Sequence, residues 1–128
     1  MIIDTSAILA ILFGEVDAAR YEHAIAAASP RRMSAVAVLE AAMVIEGRGG
    51  AQAGLELDAL LERAGIELVP VTSEQVAVAR HAWRQFGKGR HPAGLNFGDC
   101  LAYALAKVTG EPLLYQGADF MRTDIETA

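Results

Sequence analysis

The chain has 128 residues, of which 53% are hydrophobic and 21% charged, and its formal net charge is −5. This length fits a single domain, residues 1–128, with a sizeable core, and the composition excludes a disordered, fibrous or membrane-spanning chain. The acidic balance excludes a protein that holds nucleic acid by its overall charge, because phosphate binding needs a positive surface.

The first half of the chain alternates short strands with apolar helices. A strand at Ile2 and Ile3 and a brief strand or turn over 31–34 are predicted. Apolar residues at helical spacing predict helices over 7–13, 16–28, 35–46 and 51–64. Gly14 and the glycine-rich run 47–50 are expected to end the first and third of these helices.

The second half continues the alternation. Strands are expected over 66–71 and 112–115, a helix capped by Ser73 runs to about residue 86, and a helix capped by Asn96 covers 97–108. Residues 87–94 form a loop, and 117–124 a closing turn or short helix. Alternating strands and helices indicate an α/β sandwich around a small, mainly parallel sheet.

Three carboxylates interrupt otherwise apolar sequence: Asp4, Glu40 and Asp99. Asp4 follows the first strand, at the edge where ligands collect in an open parallel sheet. Asp99 lies in the first turn of a helix, and Glu40 is the only charged residue between Arg32 and Glu46. A buried carboxylate is costly unless it is protonated or paired, and no arginine lies within a helical turn of any of the three. They are therefore predicted to converge and share a divalent cation, Mg²⁺ or Mn²⁺.

Each acid also has a simpler explanation when it is taken alone. Asp99 suits the positive end of a helix dipole, and Asp4 suits a solvated strand end or a helix N-cap. Two further acids follow the last strand, Asp119 and Asp124. The position of Asp119 at a strand end favours it as the fourth acid of a cluster, and the sequence leaves open whether Asp124 takes that place.

Several motifs together resemble the VapC-like toxins of the PIN-domain ribonuclease family. They are the opening MIIDTSA, the acid in SAVAVLE, the block LNFGDCLAYALA and the closing LLYQGADF. The resemblance covers essentially the whole chain and implies a three-layer α/β/α sandwich and a metal-dependent endoribonuclease. It matches Asp4 and Asp99 to metal-binding acids, Glu40 to the helix acid and Ser6 to the hydroxyl residue beside the first acid.

The resemblance is weaker near the C-terminus. Relatives often carry a basic residue and a further acid near the closing motif, whereas this chain has Gln116 and Ala118. The closing motif therefore differs from that of relatives, and Asp119 is the residue expected to complete the cluster. The predicted catalytic set is Asp4, Glu40, Asp99 and Asp119.

Metal-assisted hydrolysis fits these residues, because bound cations activate a water and neutralise the phosphate without a nucleophilic side chain. The one basic concentration, from Arg80 to His91, precedes the Asp99 helix. We predict that Arg84, Lys88 and Arg90, together with Ser6, contact RNA. Trp83 and Phe86 are expected to be core residues.

The N-terminus and the single cysteine add two expectations. Met1 is directly followed by apolar residues with no basic leader, which argues against a signal peptide and predicts a cytoplasmic location without membrane association. Cys100 has no cysteine partner in the chain and is expected to be a buried small side chain, not a nucleophile.

The resemblance also implies partners. A VapB-like antitoxin is expected to cover the acids with an arginine-bearing tail. The apolar helices predict a homodimer and a toxin–antitoxin hetero-oligomer. DNA would be contacted only through the antitoxin.

Three other classes of protein share some of these sequence features. A catalytically silent PIN-like interaction module remains an alternative. A receiver domain would need paired acids after the first strand and a strand-end lysine, which the chain lacks. A sequence-specific DNA binder is disfavoured by the acidic balance.

Overall fold

The sheet has four strands and is parallel throughout. A computed structural model describes all residues 1–128. The strands are β1 (Ile2–Ile3), β2 (Arg32–Ser34), β3 (Glu67–Val69) and β4 (Leu113–Leu114), in the spatial order β3-β2-β1-β4. The five helices are α1 (Thr5–Leu12), α2 (Ala18–Ala27), α3 (Ala35–Arg63), α4 (Ser73–Phe86) and α5 (Phe97–Thr109), and a 3₁₀ turn covers Phe120–Arg122.

Helices cover both faces of the sheet. Successive residues of a strand point to opposite faces, so Ile2 and Ile3, both fully buried, enter two different cores. Ile2 packs with the apolar sides of α4 and α5, and Ile3 packs with α1, α2 and α3. The expected three-layer α/β/α sandwich with a small parallel sheet is confirmed. None of the helices combines the length and apolar character that crossing a bilayer requires.

Three helix starts differ from the sequence prediction by one or two residues, and one of them is α2, which begins at Ala18 and not at residue 16. The first helix begins at Thr5, not Ala7, because the Asp4 side chain accepts a hydrogen bond from the backbone N–H of Ser6 and acts as the N-cap. Helix α4 is capped by Thr72, not Ser73. At the starts of α1 and α4, neighbouring residues have similar capping ability, and the hydrogen bonds of Asp4 and Thr72 identify the caps.

The third and fourth predicted helices are the two halves of α3 and meet at a kink at Gly50, which lies inside the predicted glycine-rich run. The glycine run does not stop the helix at residue 47; only Gly50 leaves helical geometry, with φ 70° and ψ −171°. Glycine adopts this conformation without steric penalty, whereas other residues do so rarely. The bend allows one half of α3 to carry Glu40 towards the sheet edge while Leu57 and Leu61 in the other half pack into the core.

The carboxyl ends of the central strands define one edge of the molecule. The backbone N–H of Asp4 donates to the carbonyl of Leu114 over 2.9 Å, which holds Asp4 directly beyond β1 and beside the end of β4. On the other side of β1, the strand β2 runs straight into α3 at Ser34. The first acid therefore lies at the centre of this edge.

Candidate active site

Asp4 is a buried carboxylate with a prearranged set of contacts. Its side chain is 5% exposed, and its Oδ2 accepts hydrogen bonds from the backbone N–H of Ser6 at 3.0 Å and from the Ser6 hydroxyl at 2.6 Å. The Ser6 Oγ in turn accepts from the backbone N–H of Gln116 at 2.9 Å. Burial raises the pKa of Asp4 above its ordinary value, the hydrogen bonds from Ser6 oppose this, and the Glu40 charge adds to it. No protein group binds Oδ1.

Glu40 approaches the same place from α3. It is half-buried in the second turn of that helix, and its carboxylate lies over Gly98 at the start of α5. Its oxygens make no hydrogen bond to another protein group. The backbone N–H groups at the start of α5 lie nearby, and the positive end of a helix dipole favours a negative charge there.

Asp99 both caps its helix and faces the other acids. The side chain of Asn96 accepts from the Asp99 N–H at 2.9 Å, and Asp99 Oδ2 accepts from the Asn96 N–H at 3.0 Å, which is a reciprocal capping box. Burial, with the charges of Asp4, Asp119 and Glu40, raises the pKa of Asp99 to about 7. The expected N-terminal helix acid and the expected cluster acid are therefore the same residue.

The two C-terminal acids have different surroundings. Asp119 is exposed, immediately before the 3₁₀ turn, and lies near enough for its charge to raise the pKa of Asp99. Asp124 accepts from the Tyr103 hydroxyl at 2.7 Å and from Lys107 Nζ at 2.8 Å. Partial burial would raise the pKa of Asp124, but these two donors lower it overall. Asp119 thus belongs with the other acids, whereas Asp124 has its own cation.

The four acids have no basic partner. The ion pairs of the protein involve the N-terminal amine, Arg32, Lys107 and their acids, and none includes Asp4, Glu40, Asp99 or Asp119. No arginine, lysine or histidine nitrogen lies within 4.0 Å of these carboxylates. These four acids come from different parts of the chain, and Asp4, Glu40 and Asp119 each lie near enough for their charge to raise the pKa of Asp99. We call this group of acids without a basic partner the acid pocket.

The oxygen atoms of the acid pocket fit a hard divalent cation, but not an all-protein cage. No three carboxylate, histidine or cysteine side chains lie close enough together to hold one ion directly. Mg²⁺ commonly keeps several waters and binds one or two carboxylates. The free oxygens of Asp4 and Asp99 match that donor set.

The predicted RNA-contacting cations lie at the end of α4 and in the loop that precedes α5. Arg84, Lys88 and Arg90 are exposed and form no ion pair, and the guanidinium of Arg90 lies 4.0 Å from the ring centre of Trp83. Trp83 is 46% exposed, so its assignment to the core was wrong, whereas Phe86 is buried as expected.

A cavity of about 490 Å³ lies between α4 and the start of α5, and of the three predicted RNA-contacting cations only Lys88 lines it. Lys88, Trp83, Asn96 and Phe97 are among its lining residues, and most of its wall is apolar. Asn96, which caps the helix that carries Asp99, lines this cavity, whereas none of the four acids does.

The single cysteine, Cys100, agrees with the sequence expectation. Cys100 is buried, and its burial beside the Asp99 charge raises the pKa of its thiol to about 11, so it stays protonated at neutral pH. None of the three histidines pairs with a carboxylate. His23 is exposed, and His91 Nδ1 accepts from the backbone N–H of Ala93 at 3.0 Å.

Sequence reasoning missed one participant, Gly98. Gly98 is buried, and its sequence neighbours are the exposed Phe97 and Asp99. The carboxylate of Glu40 occupies the space that a side chain at residue 98 would fill. The only signal in the sequence is a glycine in the first turn of an otherwise well-formed helix.

The fold and the acid pocket define a small α/β protein with a carboxylate site at the edge of a parallel sheet, and the family model for the PIN domain matches residues 1–126. The chain belongs to the PIN-domain family. Within that family it groups with the VapC ribonucleases. It is 54% identical over 127 residues to Ribonuclease VapC30 of Mycobacterium tuberculosis, covering 99% of this chain and 97% of that protein. It is also 54% identical over 125 residues to Ribonuclease VapC of Mycolicibacterium smegmatis, covering 98% and 97%.

Solved structures share the fold at low sequence identity. VapC20 of Mycobacterium tuberculosis, described as a toxin that cleaves the sarcin-ricin loop, superposes with a TM-score of 0.80 at 16% identity, covering 99% of this chain and 97% of that one. A chain of a toxin–antitoxin complex from Klebsiella pneumoniae gives a TM-score of 0.70 at 17% identity, covering 96% and 92%. These two similarities support the fold alone.

Proposed function

We propose that this protein is the toxin of a type II toxin–antitoxin system and hydrolyses RNA phosphodiester bonds with a divalent cation, Mg²⁺ or Mn²⁺. One observation carries the proposal: four acids from distant parts of the chain meet with no basic partner. Membership among the VapC ribonucleases supports RNA as the substrate. It also favours an active enzyme over a silent interaction module.

Asp4 and Asp99 are the proposed metal-binding residues. When bound, the cation lowers the pKa of an attacking water and neutralises charge on the scissile phosphate. Ser6 holds Asp4 through Oδ2 by two hydrogen bonds, and Oδ1 is the oxygen we propose for the cation. Glu40 and Asp119 complete the acid pocket and accept protons or hydrogen bonds from water. Because bound cations offset these charges, an RNA phosphate can enter an otherwise repulsive site.

RNA is proposed to approach along the basic side of the acid pocket. Arg84, Lys88 and Arg90 supply positive charges for the backbone phosphates, which an acidic protein needs locally. Since the Ser6 hydroxyl proton is donated to Asp4, its contact with RNA would be as an acceptor, or through Asp4. We also propose a cytoplasmic location, where an RNA substrate is available to the protein.

A protein partner is part of the proposal. Leu39, Met43 and Phe97 are large apolar side chains that are 60%, 68% and 77% exposed. Contact with a VapB-like antitoxin or with a second copy of the chain would remove these surfaces from water. DNA binding is expected only for the complex with antitoxin. An arginine of the antitoxin would fit the acid pocket, where cationic partners are absent.

RNA cleavage with and without metal tests the proposal directly. The purified protein is incubated with a fluorescently labelled single-stranded RNA pool in Mg²⁺ or Mn²⁺, and products are separated on a denaturing gel. We expect cleavage that is lost in EDTA and lost in Asp4→Asn and Asp99→Asn. Both amides retain an oxygen that can accept the hydrogen bonds of the native carboxylate, so circular dichroism should show an intact fold.

The matched control is Asp124→Asn, because Asp124 is the nearby acid that has its own lysine. It should cleave at the wild-type rate in the same assay. Cleavage that persists in EDTA would defeat the metal mechanism. Equal loss of activity in Asp124→Asn would show that the acid pocket is wrongly delimited. Addition of the antitoxin encoded beside the toxin should stop cleavage.

A further inference from the structure

The first turn of α5 contains a glycine, Gly98, although its backbone conformation does not require glycine. Gly98 lies in the first helical turn, and it is not among the glycines with positive φ. Any residue could adopt its backbone conformation, and alanine would stabilise a helix relative to glycine. The reason for glycine at this position must therefore be sought in the space around it.

That space is taken by one side chain. A Cβ placed on residue 98 would lie 2.5 Å from Glu40 Oε2, 2.8 Å from Oε1 and 2.9 Å from Cδ, and these are its three nearest neighbours. Contacts this short between such atoms are repulsive. Because all three atoms belong to the end of a flexible side chain, the helix would keep its place and the carboxylate would move.

We propose that Gly98 is a positioning residue for the acid pocket: its missing side chain lets the Glu40 carboxylate lie against the first turn of α5, beside Asp99. This inference rests on the proposed metal-dependent function. Glu40 reaches the acid pocket from a different helix, so its position depends on how closely α3 and α5 approach at this point. Gly98 makes that approach close enough for the charge of Glu40 to influence both Asp4 and Asp99.

The variant Gly98→Ala tests the inference, with Mn²⁺ binding measured on the full chain by isothermal titration calorimetry. Loss of groups that orient metal ligands commonly weakens metal binding by about 10-fold to 100-fold, and we expect a loss in that range. The melting temperature of the metal-free variant should equal or exceed that of the wild type. A merely structural glycine would give the opposite pattern, with lower stability and unchanged Mn²⁺ affinity.

The chain offers a close control in Gly54. A Cβ there would lie 2.8 Å from the Cδ and Oε1 of Glu46, so Gly54→Ala also displaces a glutamate, but away from the acid pocket. This variant should bind Mn²⁺ with wild-type affinity. Wild-type affinity in Gly98→Ala, or an equal loss in both variants, would overturn the inference.

A double variant separates the displacement of Glu40 from every other effect of Gly98→Ala. Glu40→Ala should weaken Mn²⁺ binding, and adding Gly98→Ala should weaken it no further, because the displaced group is already gone. If Gly98→Ala does not fold, Glu40→Ala/Gly98→Ala should restore folding; a double variant that also fails to fold would overturn the inference. Failure of the proposed function itself would appear separately, as Mn²⁺ binding that survives Asp4→Asn and Asp99→Asn.

Discussion

At the scale of single residues, the site depends on a short chain of hydrogen bonds. The N–H of Gln116 donates to Ser6 Oγ, and the Ser6 hydroxyl donates to Asp4 Oδ2. Ser6 thereby links the ends of β1 and β4 and leaves Asp4 Oδ1 for a ligand. Ser34, at the end of β2, makes a contrast: its Oγ is buried without any hydrogen-bond partner.

These two serines should respond oppositely to loss of the hydroxyl. Ser6→Ala removes the partner of a backbone N–H and of a buried carboxylate, which should lower the free energy of unfolding by about 1 to 3 kcal/mol. Ser34→Ala removes an unsatisfied buried hydroxyl and should leave stability unchanged or raised. Urea denaturation of the metal-free proteins measures both. Equal destabilisation by the two changes would contradict the hydrogen-bond assignment.

At the scale of elements, α3 connects the site to the core. Its first half holds Glu40 and its second half is anchored by Leu57 and Leu61, with the bend at Gly50 between them. The neighbouring Gly47 is also exposed, but it has helical geometry and open space around it. Only one of these two glycines is therefore required by the backbone.

Alanine at the two positions should change stability in opposite directions. Gly50→Ala forces a side chain into a conformation that costs of order 1 to 3 kcal/mol outside glycine. Gly47→Ala fits a helix and should raise the free energy of unfolding by about 0.4 to 1 kcal/mol. Thermal denaturation followed by circular dichroism distinguishes them. If Gly50→Ala were as stable as Gly47→Ala, α3 would not need its bend.

At the scale of the whole molecule, the fold brings acidic side chains near one another at one edge of the sheet. The pKa of Asp99 is raised to about 7, chiefly by burial and further by three acidic neighbours, and the pKa of Asp4 is raised in the same direction. The cores on both faces of the sheet must stabilise this arrangement. A bound cation would reduce the repulsion between these acids.

This charge should make the metal-free protein less stable as pH rises from about 4 to about 7. Over that interval folded Asp99 keeps a proton that the unfolded chain has already released, so the folded state binds more protons and loses stability with rising pH. Asp99→Asn should show a shallower decline, since Asp4 still contributes in the same direction. Differential scanning calorimetry in EDTA across this range measures the effect. Identical pH profiles for the two proteins would show that Asp99 has an ordinary pKa.

Local signals in the sequence determined much of the fold. Asn96 caps α5 and Gly110 ends it in a left-handed conformation, and both were predictable because helix ends depend on adjacent residues. The helix N-cap that the sequence offered as one explanation of Asp4 is confirmed, whereas the cap of α4 was predicted one residue too late, because neighbouring residues cap almost equally well. The break at Gly50 lies within the predicted glycine-rich run 47–50, but the end of the helix was predicted too early, at residue 46, because several neighbouring glycines could have broken it.

By itself, the sequence determined that Asp4, Glu40 and Asp99 lie in apolar surroundings without a local base, and that helices and strands alternate. Only the tertiary structure decided that Asp119 lies near them while Asp124 pairs with Lys107. The physical reason is that local sequence patterns report only on contacts between residues close together in the chain. A sequence reveals neighbours within a strand or a helical turn, whereas the acid pocket depends on how strands and helices from both ends of the chain pack together.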